Sequence, residues 1–383
     1  MAPSVSKPSL SPSGDPWLFT PGPLTTSPAV KAAAQHDLGS RDPRFLEVNR
    51  RMMDRLLAIA GGAGSHACIP LQGSGTFAVE AMLTSLVPGN GKLLVLQNGA
   101  YGRRMARICQ VAGLSHSVLG WPETEAVDPR QVAEALAADR EISHVALVWC
   151  ETTTGLLNPL AAVAEAVEAA ERRLLVDAMS AFGALPIDAK QIRFEALAAS
   201  SNKCLQGLPG LGFCIVEERA VEAAAGNAVS LSLDLHDQWQ GFVKTGQWRF
   251  TPPVQIVLAL DRALEELWQE GGVPARHRRY QDNCLRLAEG LQAQGFSLLL
   301  PPDLQAPIIV TVLPPPLPGF DFKRLYEALA ARGFLIYPGK LTEQESFRIG
   351  CIGDLRAPQI DALLSALAEA MSEQGTTQRQ AAG

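Results

Sequence analysis

The chain has 383 residues, 47% of them hydrophobic and 19% charged, a balance that fills a core and excludes a disordered chain. Lysine and arginine number 33 against 39 aspartates and glutamates, a formal charge of −6 that gives no basis for binding nucleic acid or an anionic membrane. No apolar run nears the ~18 residues of a membrane span, and seven scattered cysteines without a Cys-x-x-Cys pair point to reduced thiols and a cytoplasmic protein.

Residues 1–16 are rich in Ser and Pro and lack an apolar core, so they read as a disordered leader and not a signal peptide. Pro21, Gly22, Pro23 and Pro28 then predict a rigid, non-helical loop. A helix is expected from Ser27-Pro28, with the serine as cap, and a second over 45–60, stopped by Gly61-Gly62. A short strand at 67–71 runs through Gln72-Gly-Ser-Gly-Thr76 straight into a helix. Amides exposed at a helix N-terminus suit a phosphate, although such turns also serve packing, and this one lacks the lysine of a nucleotide loop.

The strand Lys92–Gln97 ends in Asn98-Gly-Ala-Tyr-Gly102. Tyr101 therefore falls at a strand's carboxyl end, where open α/β sheets bind ligands and an aromatic either stacks on a flat ring or simply packs. Further strands are expected at 115–119, 143–149 and 174–177, with a helix over 160–172. The second of these strands runs into Cys150-Glu-Thr-Thr-Thr-Gly155, and the third ends in one carboxylate, Asp177.

One βαβ step later comes Ser200-Ser-Asn-Lys203, then a Gly/Pro turn and a strand over 213–216. Strands alternating with helices predict a mostly parallel sheet whose right-handed crossovers bring these loops to one edge. A lysine between two strands is ordinarily a solvated loop residue. Desolvation, however, lowers its pKa, and the neutral amine then forms a Schiff base with a carbonyl. The strand-end aspartate shifts the balance, because a carboxylate for a pyridine nitrogen and an amine for an aldehyde are what pyridoxal phosphate needs.

After an irregular stretch over 230–251, a strong helix at Val254–Glu270 leads toward a second region. Its expected elements are helices over 278–294, 322–332 and 358–371, with strands at 296–300, 308–313, 334–337 and 346–349. The expected organisation is therefore a large domain over 17–255, a smaller α+β domain over 256–372 and a flexible tail over 373–383.

Several segments, taken together and in order, carry a family resemblance: Phe19-Thr-Pro-Gly-Pro-Leu-Thr-Thr-Ser27, Leu71-Gln-Gly-Ser-Gly-Thr76, Asn98-Gly-Ala-Tyr-Gly102, Glu151-Thr-Thr-Thr-Gly155 and Val176-Asp-Ala-Met-Ser180. Ser201-Asn-Lys-Cys204, Trp248-Arg-Phe-Thr251, Tyr337-Pro-Gly-Lys340 and Phe347-Arg-Ile-Gly350 continue it. The chain resembles the class V aminotransferases, α/β enzymes of pyridoxal phosphate fold type I, from about residue 17 to 370. The resemblance implies a large domain with a mostly parallel sheet and a smaller α+β C-terminal domain.

It also implies site roles. Lys203 would hold the cofactor as a Schiff base and shuttle the proton, and Asp177 would bond the ring nitrogen. Tyr101 would lie on the ring, Gly75 and Thr76 would bind the phosphate, and Thr152 would sit near the phenolic oxygen, with Asn202 beside Lys203. Thr251 would reach the phosphate of the neighbouring subunit in a homodimer with shared active sites. Arg348, with Thr20 and Gly22, would bind the substrate, the arginine taking its anionic end. No metal is implied.

Within the group the chain is most similar to members that move an amino group from 2-aminoethylphosphonate to pyruvate, releasing phosphonoacetaldehyde and L-alanine. Alanine–glyoxylate or serine-type transaminases, and related pyridoxal phosphate lyases, share the lysine and aspartate. One segment departs from the pattern: Arg41-Asp42-Pro43 stands where many members carry a Trp-Asp-Asp-Asp-like run, so His36 and Arg41 either touch the substrate or merely connect helices.

Overall fold

In the computed structural model, residues 8–341 and 345–381 are described. Seven strands form the central sheet in the spatial order His66–Gln72, Leu211–Glu217, Ala196–Ser200, Arg173–Asp177, Ile142–Val148, Lys92–Gln97 and His116–Gly120. The last five are mutually parallel. Leu211–Glu217 alone runs against both of its neighbours. The reason is chain length: the turn between Ala196–Ser200 and Leu211–Glu217 is too short for a crossover, so the chain must return antiparallel. Both ends of that turn consequently lie at the edge where the parallel strands end, and Lys203 goes with them.

The strands are apolar on both faces, as a sheet covered by helices on each side requires. Leu94, Leu96, Val145 and Leu147 enter one core, beneath the helices Pro43–Ile59, Pro129–Ala138 and Leu160–Ala169. The alternate residues Leu93, Val95, Ala146 and Val148 enter the other, beneath Gly75–Leu86 and Ala100–Ala112. Helix starts follow their capping signals. Ser27 Oγ accepts from Val30 N at 3.1 Å, and Asp42 Oδ1 accepts from Arg44 N at 2.9 Å. Arg41-Asp42-Pro43 is thus the start of a helix, with Asp42 as cap and Pro43 in the first turn.

Val254–Glu270 has the bounds expected of it, and Gly271, at φ 109°, turns the chain into the next helix, Gly272–Ala293. Beyond lie a three-stranded sheet of Ile309–Val312, Phe347–Gly350 and Tyr337–Pro338, and the helices Phe322–Ala331 and Ala357–Ala381. The strand expected at 296–300 is reduced to a bridge between Leu298 and Val312, cut short by Pro301-Pro302. The strand expected at 334–337 splits. Phe334–Leu335 pairs in parallel with Trp17–Leu18, whereas Tyr337–Pro338 pairs with Phe347–Gly350. This split ties the N-terminal segment to the C-terminal sheet, and Gly350 N bonds Phe19 O at 2.9 Å. The helices Pro129–Ala138, Glu218–Ala223 and Leu235–Thr245 were not expected from the sequence pattern.

Of the leader expected over 1–16, residues 1–7 lie outside the described residues. The rest is held in place: Ser9 N bonds Arg332 O at 2.9 Å, and Leu10 bridges Pro16. The tail expected from 373 begins as a continuation of the last helix. There Glu373 accepts from Arg332 Nη2 at 2.6 Å and Gln374 is buried; residues 382–383 lie outside the described residues. Among the described residues no helix is long and apolar enough to cross a membrane.

Candidate active site

Lys203 occupies the turn between the reversed strand and its neighbour. The turn is fastened from within: Ser201 N bonds Leu211 O at 3.0 Å and Gly207 N bonds Ser201 O at 2.8 Å. It is fastened from outside by Arg276, which donates to Cys204 O at 2.7 Å. The Lys203 side chain thus leaves a rigid backbone, and its Nζ donates to the carbonyl of Pro21. Burial draws the amine pKa down from 10.5 to about 8, with the charge of Arg348 adding to the fall and that of Asp177 opposing it. At position 22 only glycine fits, since φ is 122° and a Cβ would lie 2.8 Å from Lys203 Cδ.

Asp177 ends its strand at a small pocket, near enough to Lys203 for each charge to act on the other. Burial lifts its carboxyl to about 6, against the pull of its hydrogen bond from Met179 N (3.0 Å) and the charges of Arg104 and Lys203. Gly75, Thr76, Tyr101, Arg104 and Met179 line the pocket with it. A Cβ on Gly75 would meet Met179 Sδ at 2.2 Å, so the glycine keeps this approach to the helix N-terminus open. The cap residue Ser74 makes no side-chain bond to the first amides of Gly75–Leu86; Phe77 N donates to Ser74 O at 2.9 Å, and the amides of Gly75 and Thr76 at the very start suit an anion.

Arg348 comes from the small sheet and is 1% exposed. Its Nη1 donates to Thr152 O at 3.0 Å and its Nε to Pro338 O at 3.1 Å, fixing the plane of the guanidinium. Burial holds its pKa below the ordinary arginine value, opposed chiefly by Tyr101. Thr152 Oγ1 and Ser180 Oγ are 2.6 Å apart, joining the strand-end loops of two neighbouring strands. Thr20 Oγ1 donates to Pro23 O at 2.5 Å and stiffens the loop that reaches Lys203.

The structure brings Gly75, Thr76, Tyr101, Asp177, Lys203, Thr152, Arg348, Thr20 and Gly22 to one sheet edge, with Asn202 half-buried next to Lys203. Thr251 lies apart from them within the single chain. It is exposed and lines a groove of about 470 Å³ with Gln72, Gly73, Phe77, Trp248 and Phe250. His36 and Arg41 are exposed as well.

Two residues of the site escaped sequence reasoning. Arg104 stands three positions after Tyr101, so it shares its helix face, and that spacing was the available signal. Glu151 is fully buried and accepts from Thr153 Oγ1 (2.5 Å), Thr153 N (3.1 Å) and Tyr101 N (3.2 Å). Burial pushes its pKa up against those bonds. Glu151 thereby clips the Tyr101 loop to its neighbour. A depressed amine, a buried strand-end carboxylate and open helix amides beside an aromatic ring form a donor set that fits pyridoxal phosphate.

A family model described as aminotransferase class-V matches residues 31–344, and the chain belongs to that family. It is 52% identical over 361 residues to the 2-aminoethylphosphonate–pyruvate transaminase of Pseudomonas putida, covering 94% of this chain and 98% of that one. Identity to the Pseudomonas aeruginosa transaminase of the same name is 51% over 358 residues, covering 94% and 96%. Among solved structures, an alanine–glyoxylate aminotransferase from Nostoc sp. aligns with TM-score 0.87 at 26% identity, over 96% of this chain and 97% of that one. The pyridoxamine–pyruvate aminotransferase of Mesorhizobium loti aligns at 0.86 with 27% identity, over 95% and 94%. The α/β fold class expected from the sequence is borne out.

Proposed function

We propose that the protein is a pyridoxal phosphate-dependent transaminase that moves the amino group of 2-aminoethylphosphonate to pyruvate, yielding phosphonoacetaldehyde and L-alanine. The reaction type rests on one observation: the amine of half-buried Lys203, its pKa drawn down to about 8 by desolvation, lies near enough to the buried carboxylate Asp177 for each charge to act on the other. The choice of donor and acceptor rests on the 52% identity over nearly the whole length of both chains.

When bound, the cofactor supplies the electron sink that lets the C–H bond beside the substrate nitrogen break. The chain's own residues do the rest. Gly75 and Thr76 would hold the phosphate at the helix N-terminus, Tyr101 would pack against the ring, and Asp177 would offer its carboxylate to the ring nitrogen. Lys203 would hold the cofactor by its aldehyde through the neutral amine, and the same Nζ would take up the proton from the amine-bearing carbon of the donor. Pro21 O accepts from Nζ, so the amine is kept on the pocket side of the turn. Arg348, fixed by two carbonyls, presents its remaining donors to phosphonate or carboxylate. Thr152 would stand near the ring oxygen, Asn202 would support the lysine, and Thr20 and Gly22 would close the substrate side.

The reading includes a cytoplasmic homodimer serving phosphonate metabolism, in which Thr251 completes the phosphate site of the partner subunit. It is supported by Phe77 and Phe250, 49% and 51% exposed on the groove that holds Thr251 next to Gly73. Sedimentation equilibrium reads the assembly, and a monomer would contradict it. For the substrate, the decisive experiment compares kcat/KM for 2-aminoethylphosphonate with that for serine and alanine as donors. The reading expects the phosphonate to lead by at least about a hundredfold, the scale of discrimination by a site built around a charged group; parity or reversal overturns it.

A further inference from the structure

Arg104 joins two parts of the pocket that the reading above assigns separate roles. Its guanidinium lies 4.9 Å from the centroid of the Tyr101 ring, and its Nη1 donates to Thr76 Oγ1 at 3.1 Å. Among the described residues it forms no ion pair, and its charge acts across the pocket on the Asp177 carboxyl. The placement is firm. Gly102, inside the same helical turn, sits so close to the preceding strand that a Cβ would be 2.9 Å from Gln97 Cα. The first turn of Ala100–Ala112 is therefore seated directly on the sheet, and Arg104 rises from it on the Tyr101 face.

The chemistry of the contact has a direction. A guanidinium carries only donors, whereas a hydroxyl carries one donor and two acceptor sites. Arg104 therefore occupies an acceptor site on Thr76 Oγ1, and the hydroxyl hydrogen must point elsewhere. Without that partner a threonine hydroxyl near a helix start turns readily onto a backbone carbonyl. We propose that Arg104 is a positioning residue of the cofactor cup. It aims the Thr76 hydroxyl at the phosphate and rests against the Tyr101 ring. Planar stacking and a fixed fork of donors let arginine do both at once, and lysine has neither.

The inference rests on the reading of the site as a pyridoxal phosphate site, and the test separates the two. Full-length holoenzymes of the wild type, Arg104→Gln, Arg104→Lys, Thr76→Val and the double variant Arg104→Gln/Thr76→Val are freed of excess cofactor. Loss of the visible absorbance on dilution is then timed, and the phosphorus-31 resonance of the bound phosphate is recorded. Arg104→Gln should speed release by about tenfold, the scale of one charge-assisted hydrogen bond, and should move the phosphorus resonance. Arg104→Lys should recover only part of the loss. In the Thr76→Val background the same Arg104→Gln change should add little, because the hydroxyl it acts through is gone.

Unchanged release in Arg104→Gln overturns the proposal, as do effects of the two substitutions that simply multiply. Wild-type protein that shows no visible band at all overturns the underlying reading as well. Circular dichroism and melting of each variant identify any that fails to fold. For such a variant the phosphorus-31 comparison of wild type with Arg104→Lys decides, an unmoved resonance counting against the proposal.

Discussion

The amine of Lys203 donates its hydrogen bond to the carbonyl of Pro21, 182 residues earlier in the chain. The contact exists because Trp17–Leu18 pairs with Phe334–Leu335 and Phe19 O accepts from Gly350 N, which carries the N-terminal loop across the pocket. Gly22 then passes so near the lysine stem that a Cβ would lie 2.8 Å from Cδ, at a φ of 122° that strains any other residue. Gly22→Ala should lower kcat by roughly tenfold or more by displacing the amine, since a misplacement of about 1 Å has that scale of effect. Its melting temperature with cofactor removed should also fall by a few degrees, because the positive φ and the crowding of Lys203 cost about 1–3 kcal/mol once a Cβ is added. Steady-state kinetics beside a melting curve checks both, and full activity would remove Gly22 from the site.

The depressed pKa of Lys203 has a kinetic consequence. Only the neutral amine attacks an aldehyde, and burial places its protonation midpoint at about 8 instead of 10.5. Capture of pyridoxal phosphate by cofactor-free enzyme should therefore accelerate as pH rises through about 8 and level off above it. Stopped-flow absorbance from about pH 6.5 to about pH 11, a range that spans both the shifted value of about 8 and the ordinary 10.5, follows this directly. A rate still climbing at the ordinary lysine value would show the amine to be solvated.

Asp177 carries the opposite sign. Its carboxyl is raised from 3.8 to about 6 by burial, so the ionised form is penalised in the folded chain above that value. The penalty fades as pH falls through about 6, where the native state takes up a proton that the unfolded state does not. Asp177→Asn should accordingly raise the melting temperature of the cofactor-free protein at pH 7.5, with an advantage on the order of 2–3 kcal/mol that shrinks toward pH 4. The same substitution should cut kcat by on the order of a hundredfold or more, because the charge proposed to face the ring nitrogen is gone. A lower melting point at pH 7.5 would contradict the desolvation argument.

Arg348 is held by Thr152 O and Pro338 O, so its plane is set before substrate arrives. Arg348→Ala should raise KM for 2-aminoethylphosphonate by about tenfold to a hundredfold, the range for a lost charge-assisted contact, while cofactor retention changes little. Arg348→Lys should remain impaired, because a point charge cannot reproduce the fork. An unchanged KM in Arg348→Ala would take the residue out of substrate binding.

How much of this was legible depended on whether a residue acts locally or through the fold. Parallel strands covered on both faces read as short apolar runs, so Lys92–Gln97 and Arg173–Asp177 could be found with their strand-end loops. Gly75, Tyr101, Asp177 and Lys203 followed, because sheet topology puts all such loops on one edge. Caps such as Ser27 were legible for the same local reason. The split of 334–337 between two sheets was not, since it is decided by pairing with Trp17–Leu18 more than 300 positions away in sequence. The hold on Ser9 by Arg332 is hidden in the same way. Arg104 and Glu151 went unnoticed because an arginine on a helix and a glutamate in a loop are ordinarily solvated. Only the folded chain shows one on a tyrosine ring and the other sealed beneath Gly99, where a Cβ would sit 2.3 Å from Glu151 Cδ.

The central claim is that one side-chain nitrogen, that of Lys203, carries the cofactor. Purified protein reduced with borohydride, digested and mapped by mass spectrometry tests it most directly. The account predicts a pyridoxyl phosphate adduct on the peptide containing Ser201-Asn-Lys-Cys204 and on no other lysine. An unmodified Lys203 peptide, or an adduct on a different lysine, would contradict it.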